Sequence, residues 1–249
     1  MTAVHEPPQV QERRMEKEEN AMYLTKRLPR ETGREYSLRT LQDNIIRLIL
    51  KPGSMVSENE LANEMGLSRT PVREALIDLS KVKIVEIFPQ KGIMVSRIDY
   101  NMVDESQFMR RVLECAVVEL DCEMANADDI AGLRENVNLQ QFYVKNEKTN
   151  AEFLELDDKF HRILFDIAKK PQVYQLMNSI SIHFDRVRNL TLDSVKINNV
   201  IKDHRQIVNT IEEKDEAAAR ACMERHLNRF RIAEEECRKQ FPKYFQEGR

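Results

Sequence analysis

The sequence predicts a mainly α protein in two parts: a small head of three helices and a β-hairpin, then an all-α helical bundle. Three observations carry this. Only six glycines and no tryptophan occur in 249 residues. The apolar period changes from helical to alternating and back between Ser37 and Asn101. From about Asn101 to Lys239 every stretch reads as helix.

Residues 1–35 are polar and charged and read as a mobile arm, with a helical piece expected in "QERRMEKEENAMYLTKRL". The head spans 36–98. "LRTLQDNIIRLIL" places Leu38, Leu41, Ile45, Leu48 and Ile49 on one helical face, and "KPG" stops that helix at Lys51–Gly53. Ser57 and Glu60 form a capping-box pattern that opens a short helix, and Gly66 suits its left-handed end. A further helix follows in "LSRTPVREALIDLSKV", where Pro71 is tolerated because it falls in the first turn. "KIVEIFPQKGIMVSRI" then alternates as a hairpin with Gln90, Lys91 and Gly92 at its tip.

The bundle is expected over 99–240, with helices at 101–126, 128–147, 150–169, 171–195, 199–213 and 215–240, and a tail at 241–249. No apolar run approaches the roughly 18 residues needed to cross a bilayer, and the N-terminus lacks a secretion signal, so no membrane partner and a cytoplasmic location are expected. Cys115, Cys122, Cys222 and Cys237 form no C-x-x-C pair and read as free, buried thiols. The net charge of −3 hides an asymmetry: Lys26–Arg97 carries +4, so the remainder carries −7. A mildly basic head on an acidic body is compatible with DNA binding by the head.

Helix, turn, helix and hairpin make a winged helix-turn-helix, whose second short helix enters the major groove. Arg69 and Arg73 lie four apart on the exposed face of that helix and can reach guanine edges or phosphates. Ser68 and Thr70 offer hydroxyls at a helix N-terminus, and Lys91 adds a charge at the wing tip.

In the body, His161, His183, His204 and His226 follow one another at intervals of 22, 21 and 22 residues, one per expected helix, each beside an apolar stripe. Asp157 stands one turn before His161, whereas Asp158 is off that phase. Burying these groups without partners costs about 1–3 kcal/mol each, which a shared metal ion would offset. Asp and His donors suit zinc first, with nickel, iron and manganese also admissible.

The stretch Leu50–Val95, with "LSRTPVREAL" at its core, resembles the DNA-binding head of the GntR family of bacterial transcription regulators. The family has "EGLV" where this chain has "VKIV" (Val82–Val85), so a glycine is missing before the wing. "MRRVLE" (Met109–Glu114), "LDDKFHRIL" (Leu156–Leu164) and "DHRQIVNTIEEKDEAAARACMERHL" (Asp203–Leu227) resemble the FCD effector-binding domain of the FadR-type subfamily. The likeness runs from about residue 37 to 235.

It implies a homodimer that binds a palindromic double-stranded DNA operator through Arg39, Ser68, Arg69, Thr70, Arg73 and Gly92. It also implies a metal held by Asp157, His161, His204 and His226, and a small organic-acid effector beside it. His183 is left open as a fifth ligand, an effector contact or a core residue. Arg110 and Arg186 are candidate effector partners or salt-bridge partners of Glu114 and Asp185. The resulting expectation is a transcriptional regulator, more specifically a repressor, and not an enzyme. The alternatives are a metalloenzyme with an Asp/His site or an architectural DNA-binding dimer.

Overall fold

The computed structural model describes residues 22–146, 150–191, 197–229 and 234–246. The chain divides into two compact units, 1–97 and 98–249.

The first unit contains α1 (Gly33–Ile46), β1 (Met55–Val56), α2 (Glu58–Glu64), α3 (Arg69–Lys81), β2 (Val85–Phe88) and β3 (Gly92–Val95). Helix α1 begins earlier than its apolar period suggests, because Thr32 and Glu35 close a capping box in front of it. The expected box at Ser57 does not form: Ser57 precedes α2 but makes no side-chain cap. Leu41, Ile45, Leu61, Val72, Leu76, Leu79 and Ile84 fill the core between the three helices and the sheet. Gly66 takes φ +64° after α2, as expected.

The hairpin pairs β2 with β3 in antiparallel register, and the two-residue β1, too short to show in sequence, adds to the other side of β3. Its tip is a turn in which Lys91 N donates to Phe88 O at 3.1 Å, with Pro89 and a left-handed Gln90 (φ 63°) at the centre.

The residue standing where the family carries glycine is Lys83, and it adopts φ +58°. Ile84 N donates to Leu79 O and Lys83 N to Ser80 O, the two bonds that end a helix on a left-handed residue. The missing glycine therefore leaves the chain path intact and strains one side chain. Lys83→Gly is expected to stabilise the head by about 1 kcal/mol, read as a raised urea midpoint.

The helical piece expected near the N-terminus lies mostly outside the described residues, and its described end, 22–28, is not helical. Tyr23 is held there by the buried Asn44, which accepts from Tyr23 N at 2.7 Å and donates to Tyr23 O at 2.9 Å. A side chain from α1 thus supplies the backbone bonds that a helix would have made internally.

The second unit is a helical bundle: α4 (Tyr100–Met124), α5 (Ala127–Lys145), α6 (Asn150–Ile167), α7 (Pro171–Thr191), α8 (Ile197–Glu212), α9 (Glu216–Asn228) and α10 (Glu234–Gln240). The helix expected over 215–240 is thus described as two, and 230–233 fall outside the described residues. Helix α4 is central and packs against α6, α7, α8 and α9, while α5 covers α6 and α8. The apolar core runs through Val118, Leu133, Phe160, Leu164, Phe165, Phe184, Ile207 and Met223. All four cysteines are free and buried.

Asp121 on α4 is fully buried, and among the described residues neither carboxyl oxygen has a hydrogen-bond partner. Burial, aided by the charge of Asp129, raises its pKa to about 8. A pKa raised on folding contributes stability below the unfolded value that is lost as pH rises towards the folded one. Asp121→Asn removes this titration. The melting temperature of the variant relative to wild type is therefore expected to rise between pH 4 and pH 8, and a parallel pH profile would refute the assignment.

Candidate metal centre and nucleic-acid interface

Helix α6 carries Asp157 and His161 one turn apart; α8 carries His204 and α9 carries His226. All four side chains are buried, and one ligand atom from each lies within 4.8 Å of the others. His226 Nε2 stands 3.1 Å from His161 Nε2 and 3.4 Å from His204 Nε2. Asp157 Oδ1 is 3.4 Å from His204 Nε2, and Asp157 Oδ2 is 3.8 Å from His161 Nε2. Ligands about 2.0–2.1 Å from one ion are separated by roughly 3–3.5 Å.

The outer nitrogens decide what the inner ones can do. His161 Nδ1 faces a carboxyl oxygen of Glu114 on α4. His204 Nδ1 lies 2.8 Å from Gln140 Oε1 on α5. The Gln140 amide nitrogen donates to Asn136 Oδ1 at 2.7 Å, which turns its oxygen toward the imidazole. Both Nδ1 atoms are therefore donors, and both Nε2 atoms present lone pairs to the centre. A single N–H on His226 Nε2 cannot serve both lone pairs well. Phe160 stacks on the His204 ring at 4.0 Å and fixes its plane.

Burial, reinforced by the neighbouring imidazoles, pushes the pKa of His204 and of His226 well below the ordinary value. Neutral rings are the form that binds metal. Burial would raise the Glu114 carboxyl, but Arg110 and His161 outweigh it and hold it at about 2.

Two arginines border the centre. Arg110 Nε donates to Glu114 Oε1 at 2.7 Å, and its guanidinium lies 4.9 Å over the Phe184 ring. Arg188 on α7 donates to Asp157 Oδ2 at 3.2 Å and to Asp158 Oδ1 at 2.6 Å. Burial works against the Arg188 cation, yet Asp158, Asp185 and Asp157 raise its pKa. Arg188 and Gln140 escape sequence reasoning as site residues because no motif links them to the histidines, and Glu114, which closes the "MRRVLE" stretch, is read there only as a partner for Arg110.

Arg186 is fully buried, and burial alone brings its pKa down to about 9, which sets it apart from the charged centre. Arg186 and Arg188 are two residues apart on α7, so they point to nearly opposite sides of the helix. His183 is buried on α7, outside the group of four. Asp158, as its phase predicts, is half exposed and points away from the imidazoles toward Arg188. On the far side of α8 and α9, the buried Asp203 accepts from Arg225 Nε at 3.1 Å and from Arg229. This clasp flanks His204 and His226, each the next residue along its helix.

In the head, Arg69 and Arg73 are exposed at the start of α3, loosely paired with Glu58 at 3.5 and 4.0 Å. Ser68 caps no backbone N–H, so the helix N-terminus keeps its donors for an anion. Lys91 and Gly92 stand at the wing, and together with Arg69 and Arg73 they line one groove of about 630 Å³. Thr70 is exposed in the first turn of α3. Arg39 is engaged by Glu31 at 2.8 Å and by Thr25.

No described helix is long and apolar enough to cross a membrane. Residues 38–95 match the family described as bacterial regulatory proteins, gntR family, and residues 105–229 match the FCD domain. An Escherichia coli K12 protein named HTH-type transcriptional repressor RspR is 29% identical over 210 residues, covering 84% of this chain and 92% of its own. An HTH-type transcriptional regulator in an unstable DNA locus of Streptomyces ambofaciens is 36% identical over 190 residues, 75% of this chain and 78% of its own. Among solved structures, E. coli McbR/YncC superposes with a TM-score of 0.72 at 21% identity, covering 84% of this chain and 99% of that one. These relatives are transcription regulators and not enzymes. With a gntR-type head, an FCD body and the fold of both, the chain belongs to the GntR family of DNA-binding transcription regulators.

Proposed function

We propose that this regulator is a homodimeric repressor whose operator affinity responds to a small carboxylate bound beside a divalent metal held by Asp157, His161, His204 and His226. The observation that carries this reading is the convergence of three imidazole Nε2 atoms and Asp157, with the His161 and His204 Nδ1 atoms committed to Glu114 and Gln140. When bound, the metal would supply two positive charges and, in an open site, positions that a carboxylate can occupy.

Charge balance supports the metal. Arg110 and Arg188 face Glu114, Asp157, Asp158 and Asp185, two cations against four acids, a deficit that a divalent ion would neutralise. A carboxylate effector would then take an open position on the metal and a guanidinium beside it. Arg110 is the guanidinium best placed for that anion, since Arg188 already serves three aspartates. Zinc fits the donor set best, and nickel, iron and manganese accept it.

The repressor reading follows the name of the RspR relative. The dimer reading rests on α4, where Phe108, Val112, Leu120 and Met124 recur at multiples of four and stay 36–59% exposed. Leu176 and Ile180 extend this apolar area on α7, which packs on α4. A second copy covering the stripe would pair like with like. Val112→Asp is expected to give a monomer by native mass spectrometry.

The experiment is metal analysis and native mass spectrometry of untagged protein, followed by operator titration with and without chelator. Stoichiometric metal, a dimer mass and a chelator-dependent shift in operator affinity support the reading. Operator affinity and thermal stability indifferent to chelator and to candidate acids would leave an architectural dimer.

A further inference from the structure

The head is net positive, +4 over Lys26–Arg97, yet several of its cations are opposed by nearby acids. Arg34 and Lys81 share Asp78 at 2.5 and 2.8 Å, Arg39 is held by Glu31, and Glu58 stands between Arg69 and Arg73. Glu58 also lines the groove in which DNA would lie. Within that groove Arg69, Arg73 and Lys91 stand beside Glu58 and Glu60, so contacts other than charge add to the hold on a duplex.

The wing offers such contacts. Register places Met55, Met94 and Glu86 in one row across the three strands, and pairs Phe88 with Gly92 on the same face. That face points away from the core, since Val85, Val95 and Ile93 fill the other one. Met55 is 55% exposed and Phe88 37%. A side chain on Gly92 would meet the Met55 methyl at 3.1 Å, so glycine lets Met55 lie across β3 toward Phe88. The result is an apolar patch continuous with Arg69, Arg73 and Lys91 in the same groove.

We propose that Met55 and Phe88 form an apolar DNA-contact patch, laid against deoxyribose and base-edge carbons while Arg69, Arg73 and Lys91 take phosphates and bases. The occupant is a DNA duplex because the patch shares its groove with the recognition helix of a DNA-binding head. Apolar wing side chains of this kind act by excluding water from the sugar edge and by wedging against base steps.

Salt dependence separates this contact from a charged one. The probe is a duplex selected by the wild-type full-length protein from a random-sequence library. Phe88→Ser is expected to weaken binding about tenfold at every salt concentration, with the slope of log affinity against log salt unchanged. Phe88→Leu, which keeps an apolar side chain on the hairpin, should recover most of that loss. Lys91→Ala, by contrast, should reduce the slope by about one. Unaltered affinity in a folded Phe88→Ser protein overturns the proposal. So does a change confined to self-association, which would make the patch a contact between copies of this chain.

Discussion

Purified His204→Ala protein is expected to hold metal at least about 100-fold more weakly than wild type, with the head still folded and still bound to DNA. His204 lies inside the proposed ligand set: its Nε2 is within 3.4 Å of both His226 Nε2 and Asp157 Oδ1. Truncation also strips Gln140 Oε1 of its donor and opens a void against Phe160, so the body loses stability as well. Two controls separate these effects. Gln140→Ala keeps the imidazole but frees its tautomer, and is expected to weaken the metal by about 10–100-fold. In wild type, chelation should lower the melting temperature, because a ligand of the folded state alone stabilises it by mass action. Stoichiometric metal in His204→Ala would overturn the ligand assignment.

Arg73→Ala is expected to reduce operator affinity about 10–100-fold while metal content stays at the wild-type level. The side chain is 69% exposed and its ion pair with Glu58 is long, at 4.0 Å, so its removal costs the fold little. A bidentate arginine contact to guanine also predicts relaxed discrimination at one base pair in each half-site, measurable with substituted operators. Uniform weakening across sequences would make Arg73 a phosphate contact instead. Coupling between the two sites is tested by repeating both titrations with chelator present, where a linked system changes affinity by about 1–3 kcal/mol.

Much of this organisation was legible in the chain itself. The helical period of α3 with Pro71 in its first turn, the alternation of β2 and β3, and the spacing of Asp157 and His161 are local properties with local causes. The histidine intervals were informative because each helix plus its connection has a similar length, which brings one residue per helix to the same level. His183 shows the limit of that rule. It shares the interval and is equally buried, yet it lies outside the group of four.

What the sequence by itself determined is the elements that bear Asp157 and the four histidines of the body: periodicity assigns a helix face, and a spacing of four stacks two side chains on it. Tertiary structure alone decided which partners set their chemistry. Glu114 and Gln140, 47 residues before His161 and 64 before His204, orient those rings because α4 and α5 pack against α6 and α8. Arg188, and not Arg186, borders Asp157 because of the rotation of α7. Lys83 bears a left-handed strain that its residue type would not predict, because the turn into the wing demands it. Such contacts are set by helix rotation and packing, which couple residues distant in the chain and leave no periodic trace in it.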